Sequence, residues 1–200
     1  MTDEPNCIIR HHQSAIKQFI IIALITTYLF VALSAQANEA SEEYSIRAAF
    51  IYNFLKFVTW PGKDSPSKTG TATICVRGDV RFAAYLRTLQ ENKAQGIALR
   101  VNYPVTASTV SLCQILIIGE LDEKCLAPIL ADAKHYPVLT ISEIRNFADN
   151  GGMIEMVQAE NTIGLFSKDK INLRINISNA QHSGLIIDAR LLQIAAEVIK

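Results

Sequence analysis

Two hundred residues, 22.1 kDa and 19 basic against 19 acidic side chains describe a chain of zero formal net charge with room for one ordinary domain. That balance excludes the basic surplus on which a nucleic-acid binder depends. An apolar fraction of 50% with only 19% charged residues excludes a disordered tail and supplies a sizeable core.

The first feature in chain order is a nearly unbroken apolar run from Phe19 to Leu33, preceded by Arg10, His11, His12 and Lys17 and followed by Ala35-Gln36-Ala37. A basic segment, an apolar segment and an A-x-A site in that order predict a secretory signal peptide over residues 1–37, cleaved to leave one domain over 38–200 in the periplasm. The rival reading is a retained anchor, which needs about 20 apolar residues to cross a bilayer, more than this run supplies. Cleavage removes two residues of each charge and leaves 17 against 17, so the exported protein stays neutral, with no sign of binding anionic lipid or nucleic acid.

Export also removes Cys7 and leaves Cys75, Cys113 and Cys125, an odd number in an oxidising compartment. Cys75 lies in the strand-like run Thr73-Ile74-Cys75-Val76 and Cys113 opens the run ending at Ile118, so neighbouring strands can bring the two together. A Cys75–Cys113 disulfide with Cys125 as a buried thiol is expected; the alternative is three buried cysteines and no bridge.

Glu42 to Val58 reads as a helix that Trp60-Pro61-Gly62 ends, with Ile46, Ala49, Phe50, Asn53, Phe54 and Phe57 on one face and Ile51, Leu55 and Val58 on another. A helix apolar around so much of its girth calls for cover on more than one side. A strand at 72–77 then passes through Gly78-Asp79, with Asp79 as N-cap, into a helix at about 80–90. A second strand covers about 97–103, and Ile115 to Ile118, apolar on both faces, predicts a central strand covered by helices. A short helix near 126–135 with Pro128 in its first turn and a strand from Pro137 to Ile141 complete a β/α alternation.

After the turn Asp149-Asn150-Gly151-Gly152 the rhythm changes. Runs at 153–158 and 162–167 predict an antiparallel pair, and Ile171 to Ile177 alternates, with Asn172, Arg174 and Asn176 facing outward. Ser178 or Asn179 caps a helical turn ending at Gly184, and Asp188 caps a final helix whose apolar stripe is Leu191, Leu192, Ala195, Val198 and Ile199. The fold class expected is a single α/β domain, a mostly parallel central sheet flanked by helices with an antiparallel portion toward the C-terminus.

Signatures of catalysis are missing from the sequence: it has no G-x-S-x-G, H-E-x-x-H, C-x-x-C, Walker loop or G-x-G-x-x-G. His135 and His182 lie far apart without thiols or carboxylates at ligand spacing, so both read as surface or packing residues. The expectation is a protein that is no enzyme and holds neither cofactor nor metal.

The stretch Ala48-Ala49-Phe50-Ile51-Tyr52-Asn53-Phe54-Leu55-Lys56-Phe57-Val58-Thr59-Trp60-Pro61 closely resembles the opening signature of the YfiR-like family of exported bacterial proteins. The resemblance continues through Cys75, Cys113, Gly151-Gly152-Met153-Ile154, Ile175-Asn176, Gly184-Leu185 and Ala189-Arg190-Leu191-Leu192, and so covers residues 42–198. It implies a periplasmic α/β domain that represses an inner-membrane diguanylate cyclase by binding its periplasmic sensory domain, lowering cyclic di-GMP signalling and biofilm formation. Further partners implied are an outer-membrane lipoprotein that sequesters the repressor and a second copy of the chain. Exposed apolar surface is the expected contact, with Phe54, Phe57, Trp60, Met153, Ile154 and Met156 as partner-binding candidates, each of which reads alternatively as core. Asn53, Lys56 and Arg190 also lie within these motifs and read first as structural hydrogen-bonding or salt-bridging groups. A different class, a periplasmic small-ligand-binding domain feeding a sensor kinase or transporter, fits the same α/β layout.

Overall fold

The computed structural model describes residues 41–63, 65–90, 96–119, 123–158 and 171–200. The expected signal peptide and the expected strand at 162–167 lie outside these residues. The chain divides into two units, Met1–Glu42 and Glu43–Lys200, and the second carries the architecture below.

The elements in order are a helix α1 over 41–57, β1 Val58–Thr59, α2 Pro66–Thr69, β2 Thr71–Arg77, α3 Val80–Thr88, β3 Ala98–Asn102, α4 Ala107–Val110 and β4 Ile115–Ile118. They continue through α5 Glu123–Ala133, β5 Leu139–Ser142, β6 Ile154–Gln158, β7 Ile171–Asn176, α6 Ile177–His182, β8 Ile186–Ile187, α7 Ala189–Gln193 and β9 Glu197–Ile199. Seven strands form one sheet in the order β3-β2-β4-β5-β6-β7-β9. It is parallel from β3 through β6; β7 runs antiparallel to β6, and β9 pairs parallel with β7. This is the mostly parallel α/β sheet with a later antiparallel portion that the sequence predicts.

The chain leaves β2 toward β3 on one side and returns to continue through β4 and β5 on the other. Right-handed crossovers in opposite directions put their helices on opposite faces. On one face α1, α3, α6 and α7 bury Ile51, Phe54, Phe82, Leu86, Ala180 and Leu191 against Ile74, Ile115 and Ile141 of the sheet. On the other, Val110 of α4 and Leu126, Ile129 and Leu130 of α5 cover Cys75, Leu116 and Ile118. Strand β4, apolar on both faces, is buried throughout because both layers touch it.

Asp79 caps α3 as expected, its side chain accepting a hydrogen bond from the Phe82 N–H at 2.9 Å. The Cys75–Cys113 bridge is present, with Cα atoms 5.8 Å apart, and joins β2 to the turn after α4. Other expectations are corrected. Cys125 is exposed, because Leu126, Ile129, Leu130 and Ala133 form the buried stripe of α5 and Cys125 falls off it. Pro128 lies in the interior of α5, on its exposed side. On α1 the buried apolar stripe is Ala48, Ile51, Phe54 and Leu55, continued by Val58 of β1, while Ala49 is exposed.

Asn176, expected outside, is buried: its side-chain N–H donates to the Ala148 carbonyl at 2.9 Å and its side-chain oxygen caps α6 through the Asn179 N–H at 2.9 Å. The final helix stops at Gln193, and Val198 and Ile199 belong to β9. The Ala196 N–H donates to the Leu173 carbonyl at 2.9 Å, so the free edge of β7 captures the chain before the helix continues.

Candidate functional site

The family-like stretch at 48–61 and the later ones around Gly184 and Arg190 meet at one place. Helix α1 ends in β1, which pairs antiparallel with β8 in a two-stranded ribbon, Val58 opposite Ile187 and Thr59 opposite Ile186. Alternation turns Val58 and Ile187 into the core and leaves Thr59 and Ile186 outside. Ile186 is 66% exposed, and Ile194, Leu112 and Val80 are exposed elsewhere on the surface. The Asp188 N–H donates to the Phe57 carbonyl at 2.8 Å and extends the pairing beyond the ribbon. Gly184, at φ +76°, makes the left-handed turn out of α6 that starts β8, and a side chain there would also approach Pro61 to 3.5 Å.

Two cations flank the half-buried Phe57 ring, the Lys56 ammonium 5.3 Å from its centre and the Arg190 guanidinium at 5.0 Å. Arg190 is also held by Asp188, through Nε to Oδ1 at 2.9 Å and Nη2 to Oδ2 at 2.8 Å, while Asp188 caps α7 through the Arg190 N–H at 2.8 Å. The Arg190 side-chain hydrogen bonds, and then its backbone N–H, lower the Asp188 carboxyl to about 2. The ribbon and its approach thus carry two apolar side chains not fully buried, Phe57 and Ile186, with Lys56 and Arg190 beside the Phe57 ring.

The structure separates the sequence-derived contact residues. Phe54, Trp60, Met153, Ile154 and Met156 are all core, so their expected role as exposed contacts is corrected; Phe57 alone of the six is partly exposed. Trp60 anchors the ribbon from inside, its Nε1–H donating to the Gln114 carbonyl at 3.1 Å. Met153 sits between strands with its N–H donating to Thr140 Oγ1 at 3.0 Å. Lys56 and Arg190, read first as structural, reach the surface beside Phe57. Ile186 was missed because a strand of two residues leaves no periodicity to read.

A second polar cluster lies at the carboxyl ends of the parallel strands. Arg47, buried on α1, pairs through Nη1 with Asp79 Oδ2 at 2.9 Å and through Nε with Glu143 Oε1 at 2.8 Å, with Glu43 Oε1 at 3.7 Å. The guanidinium also lies 4.0 Å from the centre of the Phe82 ring. Burial pushes the Glu143 carboxyl above the ordinary range, Arg47 works against that, and Glu43 and Asp79 add to it. The signal available beforehand was Arg47 itself, a charge on the Ile51 and Phe54 stripe. Its bonds are internal, and it fastens α1 to the sheet. Among the described residues no group of three or more His, Cys, Asp or Glu is gathered as a metal site, and no helix is long and apolar enough to cross a membrane.

Fold and surface together define a doubly wound α/β domain in which the stretches at 48–61, around Gly184 and around Arg190 meet at the β1–β8 ribbon. A family model described as YfiR/HmsC-like matches residues 44–196, and the chain belongs to that family. No curated protein matches it. Among solved structures it is similar to a conserved domain protein from Vibrio cholerae, at 14% identity and TM-score 0.45 over 64% of this chain and 54% of that one. It is similar also to the ABC domain in complex with L-Trp from Streptococcus pneumonia, at 14% identity and TM-score 0.46 over 64% of this chain and 55% of that one. The chain thus spans about half the length of these solved structures.

Proposed function

We propose that this protein is a periplasmic regulator, exported by cleavage of residues 1–37, that represses an inner-membrane diguanylate cyclase by binding its periplasmic domain. The observation that carries the reading is family membership over residues 44–196, which takes in nearly every described element. The contact surface in this reading is the β1–β8 ribbon, with Phe57 and Ile186 as apolar centre and Lys56 and Arg190 as cationic edge. A regulator shifts a cyclase only by binding one of its states more tightly than the other. A small patch can do this if a few desolvated side chains carry most of the energy.

The test is capture of partners from envelope extract by the wild-type chain and by Ile186→Asp, with cyclic di-GMP measured in a deletion strain. A membrane diguanylate cyclase captured by the wild type and lost by the variant, with a raised nucleotide level on deletion, supports the reading. An unchanged nucleotide level rejects it and leaves the ligand-binding alternative. N-terminal sequencing that begins at Asn38 supports export; an intact segment 1–37 in the membrane fraction identifies an anchor.

A further inference from the structure

Alternation along β2 sends Arg77 to the same face as Cys75, the face covered by α4 and α5. There it ends in a crevice of about 470 Å³, outside the carboxyl end of β2 and beside the point where the strand order reverses. Crevices at that position of open α/β sheets are where ligands bind, and the volume falls in the range of small-molecule sites.

Val105, Pro128 and Ile129 line the crevice with apolar surface, and Arg77 supplies a cation. Arg77 is half-buried as a residue, and among the described residues no carboxylate forms an ion pair with it. Among the described residues its side-chain hydrogen bond, from Nη1 to the Val105 carbonyl, is long at 3.4 Å. This differs from Arg47 and Arg174, each saturated by acids. A planar guanidinium with donors to spare at the mouth of an apolar crevice matches a carboxylate on an apolar body. Asp132, exposed at the rim, opposes a second negative charge and so limits the ligand to a monoanion.

The walls are held in place. Val105 and Thr106 lead into α4, whose capping box and the Cys113 bridge to Cys75 tie it to β2 just below Arg77. A site fixed before binding loses less entropy on occupation. The ribbon packs on the other layer, so a molecule in this crevice does not cover it.

We propose that the Arg77 crevice is a binding site for a small organic monoanion with an apolar body, held by its acid group on Arg77 and its apolar part against Val105, Pro128 and Ile129. This inference does not depend on the cyclase reading.

The experiment uses the chain as the cell retains it, with the bridge intact, and octanoate as probe. Cys125 lines the crevice and is exposed, so its alkylation by N-ethylmaleimide reports occupancy peptide by peptide. Saturating octanoate is expected to slow that alkylation about tenfold or more, while octanamide and octylamine leave it unchanged. Arg77→Met should weaken octanoate binding measured by calorimetry about tenfold or more, with an unaltered near-ultraviolet circular dichroism spectrum. Arg77→Lys, which keeps the charge and loses the fork, should bind severalfold more weakly than the wild type, and it decides the matter if Arg77→Met does not fold. Equal protection by octanoate and octanamide, full binding by either variant, or no protection at all overturns the proposal.

Discussion

The Arg190 guanidinium stands 5.0 Å from the centre of the Phe57 ring, although one residue opens a C-terminal helix and the other closes the first helix of the domain. The contact is held from both sides, by the Asp188 ion pair on Arg190 and by the Asp188 N–H on the Phe57 carbonyl. Asp188 therefore organises the contact while staying at its margin.

Ile186→Asp should separate binding from folding. The side chain is 66% exposed, so the change should alter stability within about 0.5 kcal/mol. Affinity for the periplasmic partner should fall on the order of tenfold to a hundredfold, since a charge at the centre of an interface is desolvated without a partner. Phe54→Ala, at a fully buried position, should instead cost about 3–5 kcal/mol. Thermal unfolding and partner titration on both variants check the pair; equal loss of binding without loss of stability would place Phe54 in the contact after all.

The Cys75–Cys113 bridge spans a sequence separation of 38 residues. The chain-entropy argument for such a loop gives a stabilisation of about 4 kcal/mol. Replacing both cysteines by serine should therefore lower the unfolding free energy by a few kcal/mol in denaturant titrations, a large share of the roughly 5–15 kcal/mol typical of a domain. An unchanged midpoint would mean that packing around α4 alone fixes the turn.

Gly152 has no room for a side chain, because an added β-carbon would fall on the Phe147 ring, itself fully buried. Gly152→Ala should destabilise by about 1–3 kcal/mol or more through overpacking. Gly151→Ala should also destabilise, through its φ of +102° rather than through crowding. A repacking variant, Phe147→Leu, should recover stability in Gly152→Ala and not in Gly151→Ala, as read by melting temperatures.

Two carboxylates should titrate in opposite directions from their ordinary values. Burial, outweighing Arg47, raises Glu143, so its contribution to stability is fully present below its unfolded pKa and is lost as pH rises through the folded one. The Glu143→Gln variant should lack that slope. Asp188, lowered to about 2 by Arg190, contributes above the ordinary aspartate range and loses the contribution as pH falls through about 2. Carboxyl carbon chemical shifts should give Asp188 the acid-side midpoint and Glu143 a midpoint above that of an unstructured glutamate; the reverse order would contradict the Arg190 ion pair at Asp188 and the dominance of burial over Arg47 at Glu143.

Much of this architecture is legible in the sequence because local patterning carries it. Ile115 to Ile118, apolar on both faces, reads as a strand with two covered sides, and Asp79 between a strand and a helical run reads as a cap because its short side chain can accept from an N–H of the first helical turn. The pairing of Cys75 with Cys113 is suggested by two strand-like runs that can neighbour each other, and the bridge is present beside the β2–β4 pair. Local patterning does not determine which aromatic residues remain at the surface. Phe54, Phe57 and Trp60 lie within two turns of chain; Phe54 and Trp60 are buried, and the Phe57 ring stays partly exposed beside Lys56 and Arg190. The exposed centre of the ribbon, Ile186, comes from a two-residue strand too short to show a period. The last residues satisfy a helical stripe as well as they satisfy a strand, and the unpaired edge of β7 decides for the strand. Local propensity thus determines which elements form, while tertiary structure decides which of their faces remain in water, because exposure depends on neighbours distant in the chain.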